Sequence, residues 1–311
     1  MGRRALGVVL FLVTAAVLFV PLVELLARRN NAIEKRRRAA LGDRLYAKVV
    51  GDRGSPIVFM AGLQATSSYW QGQFDALSDG HRVIYLDLLG FGDSPWPDLD
   101  YTLDDQLRAI ERTLVELDAS DEVTLVGHSF GTIVAAHYAA AHPTEVRQLV
   151  LLGAPVFANE QDARERIWDM STLAALFSLR PLIAREACLL MGAFRPQLRW
   201  LLPKITDEYP DAVAADSVEH FWPSISGSLD ILLERPIAVP LQSIGSKTTF
   251  IHGRSDTVTS LPRIHDLAAS AGASVVELAG GHHTYVQEAS EEVTRVIHDS
   301  AMAKAVNDSE P

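Results

Sequence analysis

The sequence predicts an α/β fold: a mostly parallel sheet with helices on both faces, a helical cap insertion and an N-terminal transmembrane helix. Three observations predict it. From about residue 43, short β-branched runs alternate with longer segments of helical period. The alternation stops near Ala154 and resumes near Thr248, with amphipathic helical sequence between. Ahead of all this, Ala5–Val23 carries no charged residue.

The apolar run comes first. About 20 helical residues cross a bilayer core, and this run has that length. Gly7 and Pro21 are both tolerated in membrane helices. A cleaved signal peptide, leading to secretion, is the alternative, but no small-x-small cleavage site follows the run. Arg3 and Arg4 precede it, whereas Arg28, Arg29, Lys35, Arg36, Arg37 and Arg38 follow it. The positive-inside bias therefore places the body on the cytoplasmic side of a single-pass anchor.

Charge divides the chain at the same place. Residues 1–40 hold eight Lys/Arg and two Glu, so the anchor and its basic flank carry +6 while the whole chain carries −11. The body is strongly acidic, which argues against a nucleic-acid partner. Cys188 is the one cysteine, so no intrachain disulfide and no cysteine zinc site exist. It reads as a small core residue.

The body's strands are predicted at Arg44–Val50, Pro56–Met60, Arg82–Asp87, Glu122–Gly127, Val146–Leu152, Thr248–His252 and Ala273–Leu278. Helices are predicted at about 66–78, 103–118, 130–142, 260–271 and 284–304. Parallel strands joined by helices need both sheet faces covered. The first two strands, parted by Gly51-Asp52-Arg53-Gly54, suit an antiparallel hairpin. The core is thus expected at 41–157 and 241–311, with the cap at 158–240. Trp168, Trp200 and Trp222 fall in that cap. Trp168, Phe177, Trp200 and Phe221 make it apolar enough to meet an acyl or aromatic substrate. His220 could face the same substrate.

Gly127-His128-Ser129-Phe130-Gly131 sits where a strand should turn into a helix. This G-x-S-x-G context is that of a nucleophile elbow. A tight turn there lifts the serine hydroxyl clear of the sheet, and side chains at the glycines would collide with strand and helix. A serine hydroxyl needs a base, and the base needs a carboxylate to orient it. Asp256, in a turn after the sixth strand, and His282, after the seventh, are candidates. All three residues fall at C-terminal strand ends, where open α/β sheets build their sites.

With these residues in hand, the body resembles the α/β-hydrolase-fold serine hydrolases over about residues 43–304. The resemblance rests on GHSFG at 127–131, DLLGFGDSPWP at 87–97, the G-x-x-D turn at 253–256 and Gly281-His282. It implies Ser129 as nucleophile, His282 as base and Asp256 as orienting carboxylate. His283 competes as base; family spacing favours His282, with Glu288 six positions later. It implies a structural role for the loop at Gly90, Gly92 and Ser94. It also implies an oxyanion hole from the backbone N–H groups of Phe130 and Leu63. The family's usual His-Gly is Ala61-Gly62 here, and the adjacent Gln64 either donates a side-chain hydrogen bond or points to solvent. A serine at the elbow argues against the epoxide hydrolases and haloalkane dehalogenases of this fold, which use aspartate. SISGSLDILL at 224–233 is similar to the cap end of meta-cleavage-product carbon–carbon hydrolases. The expected activity is cleavage of an ester-like bond, with carbon–carbon hydrolysis, acyl transfer and a non-catalytic binding role as alternatives. No metal pair, phosphate loop or dinucleotide fingerprint occurs, so no cofactor and no metal are expected.

Overall fold

In a computed structural model, residues 3–170, 181–205, 210–280 and 289–302 are described, with side chains from 19 to 166 and from 184 onward within those ranges. A long helix, α1 (Arg3–Arg38), opens the chain and runs through Pro21. Then follow β1 (Ala47–Val50), β2 (Pro56–Met60) and β3 (Arg82–Leu86). Next are α2 (Leu103–Glu116), β4 (Val123–His128), α3 (Phe130–Ala141) and β5 (Val146–Leu152). Between β5 and β6 the described elements are all helical: α4 (Glu160–Met170), α5 (Pro181–Ala193), α6 (Arg195–Ile205), α7 (Asp211–Asp216), α8 (Trp222–Glu234) and α9 (Ala238–Ile244). The chain returns through β6 (Thr248–Gly253), α10 (Leu261–Ala271), β7 (Ser274–Leu278) and α11 (Ser290–Met302).

The seven strands order as β1-β3-β2-β4-β5-β6-β7, and all neighbours but β1–β3 are parallel. Successive residues of β2 split between two cores, as a period of two requires. Val58 and Met60 join a large cluster on one face; Ile57 and Phe59 join a second on the other. From α11, Val293 and Ile297 close the second face, while Ile133, Leu241 and Ile264 from α3, α9 and α10 close the first. Each such aliphatic side chain contributes about 1.5–3 kcal/mol by leaving water. Every residue of β2 and β4 is buried, which is why those strands read as continuous apolar runs.

Two local expectations are corrected. The first two strands do not form a hairpin: β1 pairs antiparallel with β3, and β2 pairs with β3 and β4. The fully buried β2 has both edges occupied, so the half-exposed β1 takes the sheet margin instead. The helix expected at 66–78 is two 3-10 turns, Ser67–Trp70 and Asp75–Asp79. Gln71 at φ 47° and Gly72 at φ 71° reverse the backbone between them.

Residues of the insertion share the main cluster with the sheet's helices, notably Ala184, Cys188, Phe221 and Ile225. It also holds α1. Val23 and Ala27 pack on Ala193, and Leu26 packs beside Leu189 and Phe194. Asn30 Nδ2 donates to the carbonyls of Gly192 (3.0 Å) and Ala193 (2.9 Å). Among the described residues, no helix is long and apolar enough to cross a membrane. Most of the Ala5–Val23 run lies outside the residues whose side chains are described.

Candidate active site

At the end of β4 the backbone turns sharply into α3. Ser129 occupies this turn at φ 49°, ψ −120°, a conformation that L residues rarely adopt. Its surroundings hold it there. Ser129 N donates to the Leu152 carbonyl at 3.0 Å, while its own carbonyl accepts from Thr132 N (2.9 Å) and Thr132 Oγ1 (2.6 Å). The flanking glycines are required by contact. A Cβ on Gly127 would lie 2.6 Å from the Gly131 carbonyl oxygen. One on Gly131 would run into the Met60 carbonyl and lie 2.6 Å from that of Ala61. Ser129 is half-buried while Phe130 beneath it is buried.

The same crowding brings the β2 loop to the serine. A Cβ on Gly62 would sit 3.2 Å from Ser129 Cβ. Leu63 follows, packed against the main core. Phe130 is the first residue of α3, whose leading N–H groups have no partner within the helix. The N-terminus of α3 and the Gly62 backbone therefore both lie against the serine. Gln64 takes φ 61°, and its Nε2 is buried without a hydrogen-bond partner.

Asp256 lies past the end of β6, two strands from β4. Its side chain is buried, and Oδ1 accepts from Val258 N (2.8 Å) and Thr259 N (3.1 Å). Two backbone donors on one oxygen fix the orientation of the carboxylate. His252, a residue that sequence reasoning passed over, braces the turn from within β6. Its Nε2 lies 2.8 Å from the Thr259 carbonyl and 3.8 Å from Asp256 Oδ2. The signal was present as a His-x-x-x-Asp spacing across a strand end. His282, His283 and Glu288 lie outside the described residues.

The other candidates are distributed unevenly. Phe221 is buried and stacked on Trp96 at 4.8 Å, with Tyr101 edge-on at 5.5 Å. His220 is buried beside Cys188, with Nε2 3.8 Å from the sulfur. Burial, followed by the nearby Arg195 charge, pushes its pKa down to about 3. Both are interior packing groups of the insertion. Trp200 is 67% exposed on α6, with Lys204 Nζ 3.1 Å above its ring. The Trp168 side chain and Phe177 lie outside the described residues. Among the described residues, no group of three His, Cys, Asp or Glu side chains is placed to hold a metal.

The loop at 87–97 is a structural hub. Asp87 Oδ1 accepts from Ser67 N (2.6 Å) and Oδ2 from Asp93 N (2.8 Å). Ser94 Oγ donates to the Asp87 carbonyl and accepts from Tyr46 N. Burial raises the Asp87 carboxyl to about 6, against these donors. Gly92 N donates to the Glu219 carbonyl, tying the loop to the insertion.

Residues 55–289 match the family model described as the alpha/beta hydrolase fold. A probable lysophospholipase, BODYGUARD 4 of Arabidopsis thaliana, is 31% identical over 157 residues, 47% of this chain and 38% of that protein. The cis-3-alkyl-4-alkyloxetan-2-one decarboxylase of Shewanella oneidensis is 34% identical over 108 residues, 34% of each chain. The chain thus spans little more than a third of the length of these relatives. An esterase from Exiguobacterium antarcticum superposes with a TM-score of 0.63 at 22% identity, covering 83% of this chain and 96% of that one. At that identity the likeness shows the fold.

Proposed function

We propose that this chain, which belongs to the alpha/beta-hydrolase fold family, is a membrane-attached serine hydrolase that cleaves an ester-like bond of an apolar substrate. One observation carries the reading: Ser129 is held at positive φ at the N-terminus of α3, with the Gly62 backbone packed against it. In this mechanism Ser129 Oγ attacks the substrate carbonyl and His282 accepts its proton. Asp256, fixed by Val258 N and Thr259 N, orients the imidazole and stabilises its charge. The N–H groups of Phe130 and Leu63 receive the oxyanion, a contribution of about 3–4 kcal/mol per donor in comparable sites. His282 returns the proton to the leaving group, and water then releases the acyl-enzyme. A non-catalytic role is disfavoured by the elbow itself. Strain of this kind costs about 1–3 kcal/mol and persists where surrounding structure enforces it.

The decarboxylase among the relatives favours carbon–carbon cleavage as the second reading. A panel of p-nitrophenyl esters against a vinylogous diketone separates the two. Labelling by a fluorophosphonate probe tests the nucleophile. Ser129→Ala should abolish it, and His282→Ala should slow it far more than His283→Ala. A folded wild type that takes no label would return the binding role to the front. With chemistry rate-limiting, turnover should rise with pH as the base loses its proton, because only neutral imidazole is a base. A flat profile from about pH 5 to 9 would sink His282 as that base.

Membrane attachment rests on the uncharged Ala5–Val23 run, its basic flank and the unbroken helix that carries both. Resistance to carbonate extraction tests it. A reporter fused after Pro311 should read as cytoplasmic.

A further inference from the structure

The residue before the nucleophile is polar and fully enclosed. His128 ends β4, two residues after Val126, and so faces the second core cluster, which holds Val126, Tyr69 and Trp70. The imidazole is 2% exposed. A ring nitrogen buried among apolar groups is costly unless it is paired. Nε2 lies 3.2 Å from the Tyr69 hydroxyl, and the two rings stack with centres 4.6 Å apart. The Trp70 ring meets the imidazole edge-on at 6.5 Å.

The loop between β2 and these rings is the one that reaches Ser129. It turns tightly: Ala65 N donates to the Gly62 carbonyl at 3.1 Å, with Leu63 and Gln64 between them. Gln64 takes φ 61°, in the left-handed region that glycine enters without strain. A residue with a side chain stays there only where its surroundings enforce it. His128 meets the loop at both ends. At the entry, a Cβ on Gly62 would lie 3.4 Å from His128 Nδ1 and 3.2 Å from Ser129 Cβ. At the exit, Thr66 Oγ1 accepts from Ser68 N and opens the 3-10 turn that carries Tyr69. That turn is itself fixed, because the buried Trp70 packs edge-on against Phe59 of β2 at 5.0 Å. Ala61 brings no polar side chain of its own to the loop.

We propose that His128 and Tyr69 are positioning residues for the oxyanion hole: the imidazole spans the loop from Gly62 to Tyr69 and so holds the Leu63 N–H toward Ser129. The inference deepens the proposed hydrolysis and rests on it, since Leu63 is one of the two donors assigned there to the oxyanion. His128 acts through the loop and not on the substrate. A displaced donor weakens a hydrogen bond that is strongest in the transition state and leaves ground-state binding largely intact.

The test uses the full chain in detergent with a soluble p-nitrophenyl ester, and with an ester and its thionoester as a matched pair. Sulfur is a weak hydrogen-bond acceptor, so the ratio of the paired rates reports on the oxyanion donors. Tyr69→Phe keeps the stacked ring and removes the hydroxyl. His128→Phe keeps a flat ring and removes the nitrogens. Losing one oxyanion donor lowers kcat about 100–1000-fold in comparable sites. Displacing one should lower kcat about tenfold in each variant, with KM within about twofold. Each variant should also narrow the ester-to-thionoester ratio. The double variant should fall no further than either single, as for residues that act as a unit. His128→Gln, with an N–H group near the place of Nε2, should recover part of the rate. Rates are taken per folded molecule, from thermal melts of the same samples. Unchanged kcat with a lowered melting temperature would make the pair core packing only and overturn the proposal. Losses that multiply in the double variant, or equal losses for ester and thionoester, would also overturn it. Tyr69→Phe decides the matter if His128→Phe does not fold. A wild type that hydrolyses the ester no faster than its variants keeps the hydrolase reading and loses this one; a folded wild type that hydrolyses nothing loses both.

Discussion

The elbow at Ser129 and the junction of α1 with the insertion are built in opposite ways. At the elbow, five consecutive residues carry their own geometry, and the glycines are dictated by contacts to Met60, Ala61 and Thr132. At the junction, the residues that meet are far apart in sequence. Arg38 donates to the Gly92 carbonyl at 2.6 Å and to Glu219 at 2.7 Å, also contacting Glu34. Its guanidinium lies 4.2 Å from the Trp96 ring centre, which Arg195 approaches at 4.9 Å. The elbow is a local device laid over a buried sheet. The junction is a charged network assembled from α1, the 87–97 loop and the insertion. Local devices leave a motif in sequence, whereas distributed ones leave scattered charges.

This contrast can be broken by substitution. The largest effect is expected at the junction. Arg38→Met takes from the buried Glu219 one of its two cations, leaving Arg199 at 2.6 Å, and should cost about 3–5 kcal/mol in unfolding free energy. Arg38→Met with Glu219→Met should recover most of that loss, because neither charge then remains to be solvated. Denaturant melts of the two variants decide it. If the double variant is no better than the single, the network holds the fold by more than charge pairing.

Between the two regions lies Asp87. Folded Asp87 keeps its proton to about pH 6, against an ordinary 3.8, chiefly through burial. The folded state therefore binds more protons than the unfolded state inside that window. Stability should fall as pH rises from about 4 to 6, by about 3 kcal/mol in total, and be insensitive to this group above it. Asp87→Asn should flatten the slope. An identical pH dependence in both proteins would remove Asp87 as its source.

At the elbow, Gly131→Ala forces a methyl against two backbone carbonyls that cannot move far. An overpacking cost of about 1–3 kcal/mol is expected, with a larger fractional loss of probe labelling than of stability. Equal losses would show that the elbow tolerates a shift of its helix. The smallest effect belongs to Trp200→Ser. This ring is mostly exposed, and the change should stay within about 0.5 kcal/mol. A larger destabilisation would mean that α6 packs more tightly in solution than its exposure implies.

The sequence by itself determined the alternating architecture, because buried parallel strands must be apolar throughout and their helices must show one apolar face. Strand ends came within a few residues of Ala47–Val50, Arg82–Leu86 and Ser274–Leu278. It also located Ser129 and Asp256 at strand ends, since a glycine-flanked serine and a polar turn interrupt otherwise apolar sequence. Only the tertiary structure decided which strand β1 pairs with, because both edges of β2 are claimed by strands distant in the chain. It decided that Phe221 and His220 are interior groups, since a residue's apolarity does not say which surface it covers. And it decided that the basic residues after the apolar run are not merely a solvated flank. Arg38 is buried against Glu219 and Trp96, a pairing of residues brought together by the fold alone.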